Sequence, residues 1–260
     1  MIGAGGDETI GLGLRVATRT RGRRLPPFIV GIYVITCICG MLDAACYLGL
    51  GQVFAEIMTG NLVYVAFAIG TRGTGQSLSV LPYVVALGAF AAGALLGGRL
   101  VRLRSRLGSH RIAFAIEWVA LGCAVGATVI VHPQYHGNAR FIVIGILAFG
   151  MGIQNAAVRK WGIPDLATNV MTLTMTGLIT DTRLGGGDNH HAGRRSTAIG
   201  IFVASAVFGA FLVRYGVLWP QVAALVIFTV ALPILLQADP NRRQPNPEKT
   251  QITQVEGRGR

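Results

Sequence analysis

Six separate runs of about twenty predominantly apolar residues lie within a chain of 260. The hydrocarbon core of a bilayer is about 30 Å thick and asks for about 20 helical residues per crossing. Inside it every backbone polar group must be satisfied within the segment, so such runs fold as helices. Runs 28–50, 77–98, 112–132, 196–214 and 217–236 meet that length, and 141–158 is a slightly shorter sixth. Composition agrees, with 52% hydrophobic residues, 13% charged and a mean hydropathy of +0.55, against about 25% charged in soluble domains. The net charge of +12 would suggest nucleic acid in a soluble chain, but the apolar mass has to be placed first. A soluble domain, a disulfide-stapled secreted module and a nucleic-acid partner are therefore excluded, and the expected fold is an all-α membrane protein.

Cys37, Cys39, Cys46 and Cys123 all lie inside apolar runs and read as buried thiols, since their spacing does not converge on a metal. Run 28–48 is too long for a signal-peptide core, and Asp43 spoils the lipoprotein box that Ala44-Ala45-Cys46 suggests.

Segments 53–70 and 163–181 decide the topology. Segment 163–181 has six strongly apolar residues against Asp165, Asn169, Asp181 and five threonines, and would not insert alone. Segment 53–70 is interrupted by Glu56, Gly60 and Asn61, and the fourteen residues after Glu56 make only about 21 Å of helix. Lys and Arg gather on cytoplasmic loops. If both weak segments are re-entrant, 20 of the 23 cations fall on one side; if both cross, 15 do. Six crossings plus two re-entrant or broken helical segments is the better reading, with eight crossings as its alternative. The organisation expected is a basic cytoplasmic tail at 1–27, a membrane domain at 28–236, and a disordered cytoplasmic tail at 237–260.

Order repeats within the membrane domain. Gly40 and Asp43-Ala44-Ala45 recur as Gly152 and Asn155-Ala156-Ala157, 112 residues later; Met58-Thr59-Gly60 recurs as Met175-Thr176-Gly177, 117 later. Span, weak segment, span, span thus occurs twice, at 28–132 and 141–236. Three full crossings per half force the second half upside down, the inverted arrangement by which many transporters build a midplane site.

Gly-x-x-Asp-Ala at 40–44, Phe54 with Met58-Thr59-Gly60-Asn61, and Gln154-Asn155-Ala156 with Thr172 and Thr176-Gly177 resemble the YoaK family of uncharacterised bacterial multi-pass membrane proteins. The resemblance covers roughly residues 30 to 236. It implies a bacterial inner-membrane protein of about six spans and no particular substrate. The second Thr-Gly is followed by Leu178, so Asn61 has no polar counterpart.

Five of the eleven acids, Asp43, Glu56, Glu117, Asp165 and Asp181, sit within or against apolar segments. An ionisable group at membrane depth must face a partner or water and is a functional candidate by default. Thr36, Cys39, Gly40, Asp43, Cys46 and Tyr47 form one small or polar face of the first span. A re-entrant turn would bring Glu56, Thr59, Gly60 and Asn61 beside Asp43, where two acids could share a proton or hold a cation such as Na⁺. Set against this, Asp43 could cap an unwound turn and Glu56 could sit at the interface. Glu117, six residues past Arg111, reads as a snorkelling or paired carboxylate near the membrane surface. In the second half Gln154, Asn155, Asp165, Thr172, Thr176 and Gly177 are the candidates; threonines at 168, 172, 176 and 180 can line a conduit or serve helix packing.

Gly93-x-x-x-Gly97 marks a close-packing face, within the chain or between protomers of a homo-oligomer. His190-His191 lacks further ligands at zinc spacing, and Trp161 reads as an interface anchor. With no catalytic constellation, no cofactor and no metal are expected. The expected function is a transporter- or channel-like protein of the bacterial inner membrane, both termini cytoplasmic, for a small solute with proton or cation coupling at intramembrane acids. The alternative is a non-transporting membrane protein, an assembly partner or an intramembrane enzyme acting on lipid. The partners expected are membrane lipid and the small solute or ion, with a homo-oligomer of the chain left open and no nucleic acid.

Overall fold

A computed structural model describes residues 27–73, 78–103, 106–133, 137–159, 171–182, 185–187 and 192–237. Asp165, Trp161, the His190-His191 pair and nearly all of the two tails lie outside these. The described residues form eight helices and no strand: α1 Pro27–Gly49, α2 Met58–Gly70, α3 Leu81–Leu103, α4 Arg106–Val131, α5 Arg140–Arg159, α6 Met171–Thr180, α7 Ala192–Val213 and α8 Leu218–Gln237. Six are long and apolar enough to cross a membrane, and α2 and α6 are the two short apolar ones. At 1.5 Å per residue α2 spans about 20 Å and α6 about 15 Å, roughly half to two-thirds of a hydrocarbon core. The protein is an all-α multi-pass membrane protein.

Two boundaries differ from expectation. The third helix runs over 81–103 rather than 77–98, and the next begins at Arg106. The arginines expected in a 99–111 loop therefore mostly ride on helix ends, where long side chains reach polar surroundings while their stems cover apolar surface.

Packing partners are set by glycine. A Cβ on Gly40 of α1 would lie 2.6 Å from the Phe202 carbonyl oxygen and 3.1 Å from the Ala206 nitrogen of α7. A Cβ on Gly152 of α5 would strike the Phe90 carbonyl oxygen and lie 2.8 Å from the Ala94 nitrogen of α3. In return Gly209 of α7 approaches the Met41 carbonyl at 3.0 Å, and Gly97 of α3 approaches the Ile153 carbonyl at 2.9 Å. Backbones approach this closely only where a side chain is missing, which is how helices gain contact when lipid is as apolar as leucine. Gly93 likewise packs on the Phe149 backbone, so the stripe that could have joined protomers is used within the chain.

These contacts also fix direction. Gly40 meets Phe202 and Gly49 meets Val217, so α1 and α7 run parallel; Val85 lies by Gly145 and Gly97 by Ala156, so α3 and α5 do too. α4 and α8 run antiparallel, joined by Arg111 Nε to the Leu236 carbonyl at 2.9 Å, Trp118 Nε1 to Thr229 Oγ1 at 2.8 Å, and Thr128 Oγ1 to Gln221 Oε1 at 2.8 Å. Buried Arg140, at the start of α5, donates to the Leu50 carbonyl just past the end of α1. The start of α5 therefore lies at the far end of the bundle from the start of α1.

α1 is wrapped nearly all round. Thr36, Cys39, Gly40, Asp43 and Cys46 are buried as expected, but so are Ile35, Ile38, Met41 and Leu42 on its other sides. Its polar residues therefore face several neighbours: Gly40 meets α7, whereas Asp43 meets the turn before α2. Of the cysteines, Cys39 and Cys46 are buried and Cys37 is half-buried, but Cys123 is exposed on α4, contrary to expectation.

Candidate functional site

After α1 the chain turns back on itself. Gly51 adopts φ +101°, a left-handed conformation open chiefly to glycine, and the Gln52 amide closes the helix end by donating to the Tyr47 carbonyl at 2.9 Å. Residues 52–57 then run back beside α1 until they reach Asp43. Its Oδ1 accepts the backbone N–H groups of Ala55 at 2.8 Å and Glu56 at 2.9 Å. Fully buried Asn61 closes the turn from the other side, accepting from the Phe54 N–H at 2.9 Å and donating to the Phe54 carbonyl at 2.8 Å. Unwound backbone survives at membrane depth only where protein supplies its hydrogen bonds, and these two side chains supply them here.

The rest of the motif serves the same turn. A Cβ on Gly60 would lie 2.9 Å from the Phe54 ring, which stacks on Tyr47 at 5.0 Å. Tyr47 and Tyr64 share a hydroxyl hydrogen bond of 2.9 Å, and Tyr64 stacks on Tyr83 at 5.2 Å. Asp43, Gly60 and Asn61 are thus posts and spacers, and Glu56 and Thr59 are what they hold in place.

Glu56, Met58 and Thr59 open on a cavity of about 410 Å³ whose opposite wall is Met171 and Thr172, the first residues of α6. Phe90 of α3 and Phe202 of α7 complete the wall, and they stand 112 residues apart like Gly40 and Gly152. Met58 and Thr59 at the start of α2 and Met171 and Thr172 at the described start of α6 therefore line one chamber.

Behind Glu56 the core is polar. Glu117 is buried, neither carboxylate oxygen has a hydrogen-bond partner, and it lies within electrostatic reach of Glu56. Cys39 donates to Gln154 Oε1 at 3.9 Å and also meets the Glu56 carboxyl. Glu117 corrects the expectation of a surface-snorkelling carboxylate. It shares the inward stripe of α4 with Ala113, Phe114, Ala120, Leu121 and Ala124, all buried. That helical spacing was the available signal; distance from Arg111 along the axis says nothing about which face a residue occupies.

The second-half candidates separate. Thr172 reaches the central cavity and buried Gln154 lies beside Cys39. Asn155 instead lines a second cavity of about 620 Å³ between α3 and α5, with Arg102, Arg159 and again Phe90. Thr176 is exposed, and its carbonyl accepts from the Thr180 hydroxyl at 3.0 Å; Gly177 gives its carbonyl to Arg195 at 2.6 Å, and Arg195 also pairs with Asp181. The buried threonine of α6 is Thr174, not a member of the four-residue series. Among the described residues no three His, Cys, Asp or Glu groups converge as metal ligands.

Residues 31–234 match the model of a family described as protein of unknown function DUF1275. The chain belongs to that family. It is also 29% identical over 143 residues to the UPF0700 transmembrane protein YoaK of Bacillus subtilis (strain 168), a match covering 55% of this chain and 61% of that protein. The aligned part thus spans about three-fifths of that relative's length. No solved structure matches. The YoaK-like membership expected from the Asp-Ala and Met-Thr-Gly-Asn motifs holds.

Proposed function

We propose that the protein is a transporter- or channel-like protein of the bacterial inner membrane, passing a small solute through the chamber between the starts of α2 and α6, with Glu56 as its proton- or cation-coupling group. The observation that carries this is the chamber itself: a buried acid, two threonines and two half-length helix ends around about 410 Å³. Lipid-spanning proteins break helices at midplane where the exposed backbone meets a solute or water. Glu117, within electrostatic reach of Glu56, sets a second buried acid behind the coupling group.

The two halves are read as an inverted repeat. α1 packs on α7 and α8 while α5 packs on α3 and α4, and α2 meets α3 as α6 meets α7. Exchanging the halves leaves this pattern unchanged, and the antiparallel run of α4 and α8 gives the exchange its inversion. Arg102, Arg111, Arg159, Arg194 and Arg195 lie toward the end where α1 begins, and Arg72, Arg140 and Arg214 toward the other. Under the positive-inside rule this distribution supports a cytoplasmic side at the end where α1 begins and α8 ends.

The test is flux into proteoliposomes across a panel of ions and small neutral and charged solutes. The wild type should pass at least one solute above protein-free vesicles, and Glu56→Gln should lower that flux at least tenfold without changing the folded fraction. No flux above protein-free vesicles across the panel would contradict the reading.

A further inference from the structure

We propose that the α3–α5 cavity is a binding site for a small anion bearing carboxylate or phosphate oxygens, held by Arg102, Arg159 and the side-chain amide of Asn155. As the antechamber of the central cavity it rests on the transport reading, because Phe90 is the wall the two cavities share; the binding itself does not.

Arg102 and Arg159 stand in the last turns of two parallel helices and face one cavity of about 620 Å³. No acid stands among its described lining residues, and neither arginine is ion-paired among the described residues. Arginines at helix ends can simply orient a membrane chain. Asn155 separates the two explanations. Its side chain is nine-tenths buried, it lines the same cavity, and its Nδ2 donor has no partner. A buried N–H left unpaired is costly, and what would satisfy it is an acceptor oxygen.

The position 112 residues earlier sharpens this. There Asp43 offers an acceptor, and the chain's own N–H groups fill it. At 155 the neutral amide adds a donor to its acceptor, beside two exposed guanidiniums whose planar forks match carboxylate or phosphate oxygens. The volume lies within the usual range of small-molecule sites, about 300–1,000 Å³.

Two sources carry this chemistry, a soluble anion and an anionic lipid headgroup. The full chain in phosphatidylcholine nanodiscs is titrated with inorganic phosphate and with succinate against sodium chloride at matched ionic strength, following the thermal midpoint. A second series raises the phosphatidylglycerol content with no added anion. Wild type should shift upward in at least one series. Arg102→Gln and Arg159→Gln should each weaken the response about tenfold, Asn155→Asp should abolish it by repulsion, and Arg159→Lys should retain part of it. A response to phosphate or succinate assigns a soluble anion, and one to phosphatidylglycerol alone assigns a headgroup. No response in either series, or one unchanged in the Arg102→Gln/Arg159→Gln double variant, overturns the site. Binding without flux would remove the transport reading and leave the anion site standing.

Discussion

Among the described residues the two short helices show different anchors. In the first half the anchor is buried: Asp43 and Asn61 satisfy the backbone of residues 54–56 from inside the bundle. In the second half the visible anchor of α6 lies at its far end, where Arg195 holds the Gly177 carbonyl and pairs with half-exposed Asp181. The counterparts of the buried posts are changed, Asp43 to Asn155 and Asn61 to Leu178. Among the described residues, then, α2 is clamped from inside at its start and α6 is tied to α7 toward its end. Buried backbone donors are expensive to abandon, whereas a part-exposed ion pair is worth about 0–1 kcal/mol.

The largest expected effect follows from removing the buried clamp. Asp43→Ala leaves the Ala55 and Glu56 N–H groups unsatisfied at about 1–3 kcal/mol each, enough to lower the thermal midpoint in detergent strongly or prevent folding. Asp43→Asn keeps an acceptor oxygen and should fall well short of that loss. Equal loss in the two variants would show that charge, not hydrogen bonding, matters at this position.

Next come the helix contacts that the halves share. Gly40→Ala and Gly152→Ala each drive a methyl into a carbonyl of the partner helix, and overpacking costs about 1–3 kcal/mol. The two should cost alike, read as matching drops in the fraction eluting as folded protein. A large asymmetry would break the equivalence of the α1–α7 and α3–α5 pairs.

Smallest is the surface anchor. Asp181→Ala should cost about 1 kcal/mol or less, with a salt dependence that Asp43→Ala lacks. Hydrogen exchange of α6 should rise in that variant while α2 stays protected.

The six spans and the two weak segments were legible because length and hydropathy are local properties. Segment 53–70 holds a short helix only at 58–70, and the described part of segment 163–181 holds one at 171–180; where the unwound turn before α2 begins depends on Asp43, twelve residues upstream of Ala55. The pairing of Asp43 with the re-entrant turn was also legible, but its role was not. Spacing alone cannot distinguish a carboxylate that meets solute from one that meets backbone. Phe90 and Phe202 went unread although the 112-residue offset continues through them, through Ala94 and Ala206, and through Gly97 and Gly209. In a Gly/Ala-rich helix such matches acquire meaning only when both members are found in the same contact. The cavity at Arg102 and Arg159 lies between two helices and the one at Glu56 among four, packing that no single segment encodes.

The account stands or falls on whether the starts of α2 and α6 face one aqueous chamber. Single cysteines at Thr59 and Thr172, in a background lacking the four native cysteines, can be exposed to a small polar thiol reagent in reconstituted vesicles and compared with Leu62 and Leu173 on the exposed faces of the same helices. The account predicts fast modification at 59 and 172 and slow modification at 62 and 173. Modification of 59 and 172 no faster than at 62 and 173 would contradict it.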